Sequence, residues 1–139
     1  MLLEKGTDCN KCDEDGWSPL INACKHGHTE IVLALLEKGA DCNKCDVVGH
    51  SPLINACKHK HGHTEIVKLL IDKGTDCNKY DWTQQSPLFY ACTHGHAEIV
   101  QILLVDNRYD LNGQSHLINA CIKLLYKNSI VVVRQSGRL

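Results

Sequence analysis

Two pairs of cysteines have the spacing that zinc sites use. Cys9 and Cys12 form one C-x-x-C pair, and Cys42 and Cys45 form the other. Four thiolates can share one zinc ion only if each lies about 2.3 Å from it. The pairs recur at the period of a repeated sequence, however, and equivalent atoms of stacked helical units lie roughly 10 Å apart. The third copy has Tyr80 in place of the second cysteine. The pattern therefore disfavours zinc, and we predict no metal and no other cofactor.

A run of alternating histidines, His59, His61 and His63, is a second candidate for metal binding. Imidazole is a ligand for several transition metals, and the run falls where an exposed loop is expected. The alternative is an elongated polar loop. A histidine also stands at one fixed repeat position, as His28, His63 and His96. This recurrence favours structural hydrogen bonds at the loop over metal binding.

Cysteine and histidine also recur together, which raises the possibility of nucleophilic catalysis. The pairs are Cys24 with His28, Cys57 with His63, and Cys92 with His96. A catalytic site needs one constellation with an orienting group and an oxyanion stabiliser, and nothing distinguishes one of the three copies. No glycine-rich phosphate loop follows a strand. The sequence predicts no enzyme and no small-molecule substrate.

Composition excludes further classes. The 139 residues include 15 lysines and arginines against 16 acidic residues, so no net positive field would hold a nucleic acid or a phospholipid surface. The start lacks the apolar stretch of a signal peptide, and the longest late apolar run, 130–133, is far too short to cross a bilayer. Nine cysteines, an odd number, are read as reduced thiols. We expect an intracellular protein of the cytoplasm with no nucleic acid and no membrane among its partners.

An internal repeat decides which elements position these residues. The block 13–26 returns at 46–59 and again at 81–94, with periods of 33 and 35 residues. The two extra residues, Lys60 and His61, fall in a loop, where an insertion is tolerated. We predict a single domain over 1–139, divided into a partial repeat (2–12), three repeats (13–45, 46–80 and 81–112) and a degenerate C-terminal repeat (113–139).

The sequence pattern of each repeat predicts two helices and a connecting loop. Ser18 can cap a short helix that starts at Pro19, runs to about Lys25 and stops at Gly27. A second helix starts with Thr29 as its capping residue and ends at a glycine; its buried face is predicted to contain Ile31, Val32, Leu35 and Leu36. The segment 40–49 is rich in turn residues and should form a hairpin-like finger. We place Cys9, Cys42 and Cys77 in the core and Cys12 and Cys45 on the finger. Such units must stack into a solenoid to cover their apolar faces.

The strings 16–20, 27–32 and 35–43 resemble the ankyrin-repeat signature in order and spacing, and the resemblance covers about residues 2 to 121. It implies an all-α ankyrin solenoid of helix-turn-helix units with hairpin-like fingers. Ile21, Ile54 and Phe89 replace the family's usual histidine, so packing should replace its hydrogen bond. Gln84 replaces a turn glycine and should distort or loosen that finger. The fourth repeat lacks five finger residues, and we expect a helix near His116 to Tyr126.

The resemblance also implies where a partner protein binds. In the family, residues that vary at the fingers and on the first helices line a concave face that holds protein partners. Tryptophan buries a large area and keeps a polar N–H, so Trp82 and Trp17 are the candidate anchors. Trp82 is the stronger, because the family often uses tryptophan for packing at the position of Trp17. The predicted partner-binding residues are Glu14, Asp15, Trp17, Lys25, His26, Val47, Val48, His50, Lys58, His59, Trp82, Thr83, Gln85, Thr93 and His94.

Three roles remain open at this point. Neither end of the sequence forms a good polar cap, which favours a recruitment arm or scaffold segment of a longer protein. A free-standing inhibitor that occludes an enzyme's site is the alternative. A metal- or redox-responsive module using the cysteines and the loop His59–His63 is a remote third. The resemblance also leaves open whether Asn43 or Asn78 is hydroxylated.

Overall fold

The computed structural model describes residues 8–105, which form three pairs of helices. They are α1 (Pro19–His26), α2 (Thr29–Glu37), α3 (Pro52–Lys58), α4 (Thr64–Asp72), α5 (Pro87–Thr93) and α6 (Ala97–Val105). No strand occurs among these residues. No helix in this range is long and apolar enough to cross a membrane. Residues 2–7 of the predicted partial repeat, the end of the third repeat, and the predicted C-terminal repeat 113–139 with its helix His116–Tyr126 lie outside the described residues.

The first helix of each pair begins as its sequence predicts. Ser18 is extended, its Oγ accepts the Ile21 N–H at 3.1 Å, and proline occupies the first helical turn. Ser51 and Ser86 cap α3 and α5 in the same way. At the other end of α1, Gly27 has φ 74° and its N–H closes the helix on the Ala23 carbonyl. These local signals set the boundaries because each satisfies a backbone group that a helix end leaves unpaired.

The second helices differ from expectation at two positions. Thr29 is the first helical residue of α2, and His28 is the N-cap without a side-chain capping bond, so the predicted Thr29 cap is wrong. Ile31 is 40% exposed, whereas Val32, Leu35 and Leu36 are buried. A nine-residue helix packed on one side buries only a narrow stripe, and Ile31 lies beside that stripe.

The helices form two layers around one continuous apolar core. Helices α1, α3 and α5 contact one another in order, and α2, α4 and α6 do the same behind them. Each repeat contributes equivalent residues, such as Leu20, Leu53 and Leu88 from the inner layer, all buried. Ile21 and Ile54 are fully buried, so packing does replace the family's histidine there, while Phe89 is half-buried. The structure therefore is the predicted all-α solenoid.

The fingers are short hairpins, which we number finger 1 (13–17), finger 2 (46–50) and finger 3 (81–85). In each, the first residue is an aspartate whose Oδ1 accepts two backbone N–H groups of the same turn at 2.9–3.0 Å. The aspartate N–H in turn donates to the carbonyl four residues later. This double closure explains why aspartate stands at the start of every finger.

Finger 3 keeps this geometry despite its missing glycine. Gln84 has φ 66° and its N–H donates to the Asp81 carbonyl at 2.9 Å, as Gly49 donates to Asp46 at 3.0 Å. The expected distortion is therefore wrong. The turn is retained with a non-glycine residue in the left-handed region, where a Cβ costs roughly 1–2 kcal/mol.

Candidate functional site

Adjacent fingers are joined by backbone hydrogen bonds. The Val47 N–H donates to the Asp15 carbonyl, and the Trp82 N–H donates to the Val48 carbonyl, each at 3.1 Å. The first bond joins finger 1 to finger 2, and the second joins finger 2 to finger 3. Side chains at matching positions of the fingers therefore stand in rows, as the sequence predicted.

A groove of about 580 Å³ lies between fingers 1 and 2 and the ends of the inner helices. This volume lies within the range of 300–1,000 Å³ that is typical of ligand pockets. The residues that line it come from both fingers, from α1 and α3, and from the loop after α3. They are Asp15, Trp17, Lys25, Asp46, Val47, Val48, His50, Asn55, Lys58, His59 and Lys60.

Apolar side chains are exposed at the finger tips. Val47 and Val48 are 49% and 42% exposed, and Trp82 is 74% exposed. Trp17 is half-buried because the Lys25 ammonium covers its ring, with Nζ 3.8 Å from the ring centroid. This cation–π contact holds the lysine over the groove. The tips thus offer apolar area to a ligand.

The inner-helix side of the groove is basic. It carries Lys25, Lys58 and Lys60, and no carboxylate oxygen of residues 8–105 lies within 4.0 Å of their ammonium groups. Burial and the neighbouring Lys58 lower the pKa of His50. Burial, the adjacent histidines and Lys60 lower the pKa of His59. Burial is the larger cause of both shifts, and a lysine of the groove adds to each.

A polar network joins finger 2, finger 3 and α5 next to the groove residue His50. The Tyr90 hydroxyl donates to Asp81 Oδ2 at 2.5 Å, and the His50 ring lies 3.4 Å from the same oxygen and 3.6 Å from Asp46 Oδ2. Hydrogen bonds from Tyr90 and the finger backbone outweigh burial and lower the pKa of Asp81. Burial and the Asp81 carboxylate raise the pKa of Tyr90 to about 12. The network thus connects His50 of finger 2 with Asp81 of finger 3 and with Tyr90 of α5.

The cysteines lie mostly in or beside the core. Cys24 and Cys57 of the inner helices are fully buried, and burial raises the pKa of both thiols. Cys77 is buried as predicted, whereas Cys9 and Cys42 are only partly buried at the edge of the core, so their core assignment is corrected. Their thiols lie on turns that reach the surface, which limits how far they can be covered.

The recurring histidines stack at the loops. Only one of the expected hydrogen bonds has good geometry: His96 Nε2 lies 2.7 Å from the His59 carbonyl. His28 is exposed, and His63 Nε2 is buried without such a bond to any described residue. His59 and His63 have ring centroids 4.2 Å apart. Within residues 8–105, no three His, Cys, Asp or Glu side chains form a group that could hold a metal ion.

The structure brings part of the predicted set together. Eight of the fifteen residues line the groove: Asp15, Trp17, Lys25, Val47, Val48, His50, Lys58 and His59. The others do not line it: Glu14, His26, Trp82, Thr83, Gln85, Thr93 and His94. Trp82, Thr83 and Gln85 continue the row on finger 3, and Thr93 and His94 end α5.

Sequence reasoning missed three lining residues. Asp46 matches Asp13 and Asp81, and Asn55 matches Asn22, so a search for positions that vary between repeats passes over both; Lys60 lies in the two-residue loop insertion. Asn55 is indeed buried and donates its side-chain amide to the Ser51 carbonyl at 3.0 Å. The insertion itself was the available signal for Lys60, because it lengthens the chain at the groove end of α3.

Comparison with known proteins agrees with this architecture. A family model described as ankyrin repeats in three copies matches residues 1–81, and a model described as an ankyrin repeat matches residues 83–116. The matches confirm the similarity drawn from the sequence. A search of curated proteins finds no match to the chain.

Proposed function

The chain belongs to the ankyrin-repeat family, whose repeats generally serve protein interaction and are typically not enzymes, and from this premise we propose that it binds a partner protein through the groove. The observation that carries the proposal is the exposed apolar pair of finger 2, Val47 and Val48, which lines the same groove as the lysines of the inner helices. Exposed apolar side chains next to polar ones are typical of protein contact sites.

We further propose a recruitment role, in which the chain holds a short segment of its partner. The size of the groove supports binding of a short segment, because about 580 Å³ accommodates a few side chains. In a recruitment role this segment lies outside the partner's own active site. The bound partner should therefore keep its own activity.

The test is capture of partners from lysate with matched surface variants. The groove variant is Val47→Asp with Val48→Asp. The control is Ile31→Asp with Leu33→Asp on α2, since those side chains are 40% and 41% exposed and lie on the other layer. Circular dichroism first establishes that both variants fold.

We expect the control to keep the wild-type partner and the groove variant to lose it. Retention by the groove variant with loss by the control would contradict the proposed site and move it to α2. An activity assay on the captured partner then separates recruitment, which leaves activity unchanged, from inhibition, which lowers it.

A further inference from the structure

The groove also indicates which kind of segment it binds. We propose that the partner segment is an extended acidic peptide, with an apolar side chain against the finger tips and a carboxylate on the lysines of the inner helices. This inference rests on the proposed protein-binding function and names the chemistry of the partner.

The charges accessible in the groove are unbalanced. Lys25, Lys58 and Lys60 face two aspartates, but the side chain of Asp46 is only 4% exposed and its Oδ1 accepts the N–H groups of Val48 and His50. Asp15 is the one exposed carboxylate lining the groove. Three cations therefore face the ligand against one anion, although the whole chain has a formal net charge of −1. Local charge rather than total charge favours an acidic ligand.

Two of the three lysines, Lys25 and Lys58, are held in place while their charge remains uncompensated. The Lys25 ammonium lies over Trp17 at 3.8 Å, and the Lys58 ammonium lies 5.6 Å from the Tyr90 ring centroid. Aromatic faces attract ammonium groups but do not neutralise them. Lysines fixed in this way lose less side-chain freedom when a carboxylate binds, which favours specific over diffuse attraction.

The apolar tips distinguish an acidic peptide from a general polyanion. Val47 and Val48 line the same groove as the lysines, and the ring of Trp17 forms part of its wall. A polyanion recognised by charge alone would leave this apolar surface uncovered. An aliphatic or aromatic side chain beside an acidic one would cover both parts at once.

The experiment selects short random peptides on the wild-type chain and measures their dissociation constants on four variants. One variant reverses two groove charges, Lys25→Glu with Lys58→Glu. A second variant, Lys25→Gln with Lys58→Gln, removes the two charges while nearly keeping side-chain length. It tests the loss of charge even if the charge-reversed variant fails to fold. The control, Lys11→Glu with Lys44→Glu, makes the same change of net charge at exposed lysines that do not line the groove. The fourth is the apolar variant Val47→Asp with Val48→Asp.

Support consists of selected peptides that combine acidic and apolar residues and bind about tenfold or more weakly to the charge-reversed variant. The glutamine variant should show a smaller loss in the same direction, the control should bind as wild type, and added salt should weaken binding. A different result would overturn the inference and leave the proposed function standing: the selected peptides lack acidic residues, do not bind the apolar variant, and still bind both lysine variants.

Two other outcomes are also decisive. If no selected peptide depends on any groove variant, both the inference and the proposed function are overturned. If a single-stranded oligonucleotide binds the same lysines more tightly than the peptides do, the acidic-peptide inference is overturned in favour of a nucleic-acid ligand.

Discussion

Contact between adjacent fingers predicts unequal costs for the same substitution at two glycines. Gly39 and Gly49 have nearly the same backbone angle, φ 88° and 86°. A Cβ at Gly39 would meet nothing within 4 Å. A Cβ at Gly49 would lie 2.9 Å from Trp82 Cδ1 and 3.0 Å from both Asp81 Cα and Trp82 N, two of which are backbone atoms of finger 3. Comparing alanine substitutions at these two glycines therefore separates the cost of backbone strain from the cost of disturbing the contact between fingers.

The expected costs follow from these distances. Gly39→Ala carries only the penalty of a left-handed alanine, about 1 kcal/mol. Gly49→Ala adds displacement of the Trp82 N–H from the Val48 carbonyl, about 1 kcal/mol, and crowding of a backbone that cannot move freely, about 1 kcal/mol more. We expect losses in free energy of unfolding of about 1 and about 3 kcal/mol, respectively.

Urea unfolding followed by circular dichroism and tryptophan emission measures both losses. Gly16→Ala is a third arm, since its Cβ would lie 3.0 Å from Val47 N and 3.1 Å from Asp46 Cα, and it should behave like Gly49→Ala. Equal losses at Gly39 and Gly49 would refute the reasoning, because they would show that the fingers separate without cost.

The remaining predictions concern the third finger, its carboxylate and the buried thiols. Gln84→Gly should raise the free energy of unfolding by about 1 kcal/mol in urea titration, because it removes a left-handed side chain that is exposed; destabilisation would show that the side chain has a contact of its own. Because the folded state lowers the pKa of Asp81, its stabilisation is present above the unfolded pKa of about 3.9 and is lost as the pH falls through the folded value. Asp81→Asn should therefore be less stable at neutral pH and lose less on acidification, as measured by thermal unfolding across pH. Cys24 and Cys57 should resist alkylation in the native state while the partly exposed Cys12 reacts, as measured by peptide mass spectrometry. Equal labelling would show that the inner helices open readily.

Sequence alone predicted the parts of the fold that local chemistry decides. The Ser18 cap, the following proline and the stop at Gly27 act within a few residues, so each could be read from its own neighbourhood. Because the block repeats, the same prediction applied to the first helix of each of the three pairs. Ile31 was wrongly assigned to the buried face, because the spacing of apolar residues along a helix does not show how much of that face the neighbouring helices cover.

The groove could be predicted only in part, because it depends on contacts between repeats. The backbone hydrogen bonds from Val47 to Asp15 and from Trp82 to Val48 join residues more than thirty positions apart, and no local sequence motif indicates them. The part played by Lys60 depends on how the inserted loop folds back toward the fingers. The prediction that Gln84 distorts finger 3 assumed that the turn requires a glycine. The hydrogen bonds that Asp81 accepts from the Thr83 and Gln85 N–H groups retain the turn without one.

The loop between α3 and α4 has a consequence for protein engineering. Its two additional residues leave the closure of the helix pair unchanged: the His63 N–H donates to the Ala56 carbonyl at 3.2 Å, as His28 donates to Ala23 at 3.0 Å and His96 to Ala91 at 2.9 Å. Loop length is thus decoupled from the closure of the helix pair. Gly95, whose Cβ position is open to 4 Å, marks the corresponding loop of the third repeat. A reporter peptide or fluorophore attachment site could be grafted there without changing the register of the array.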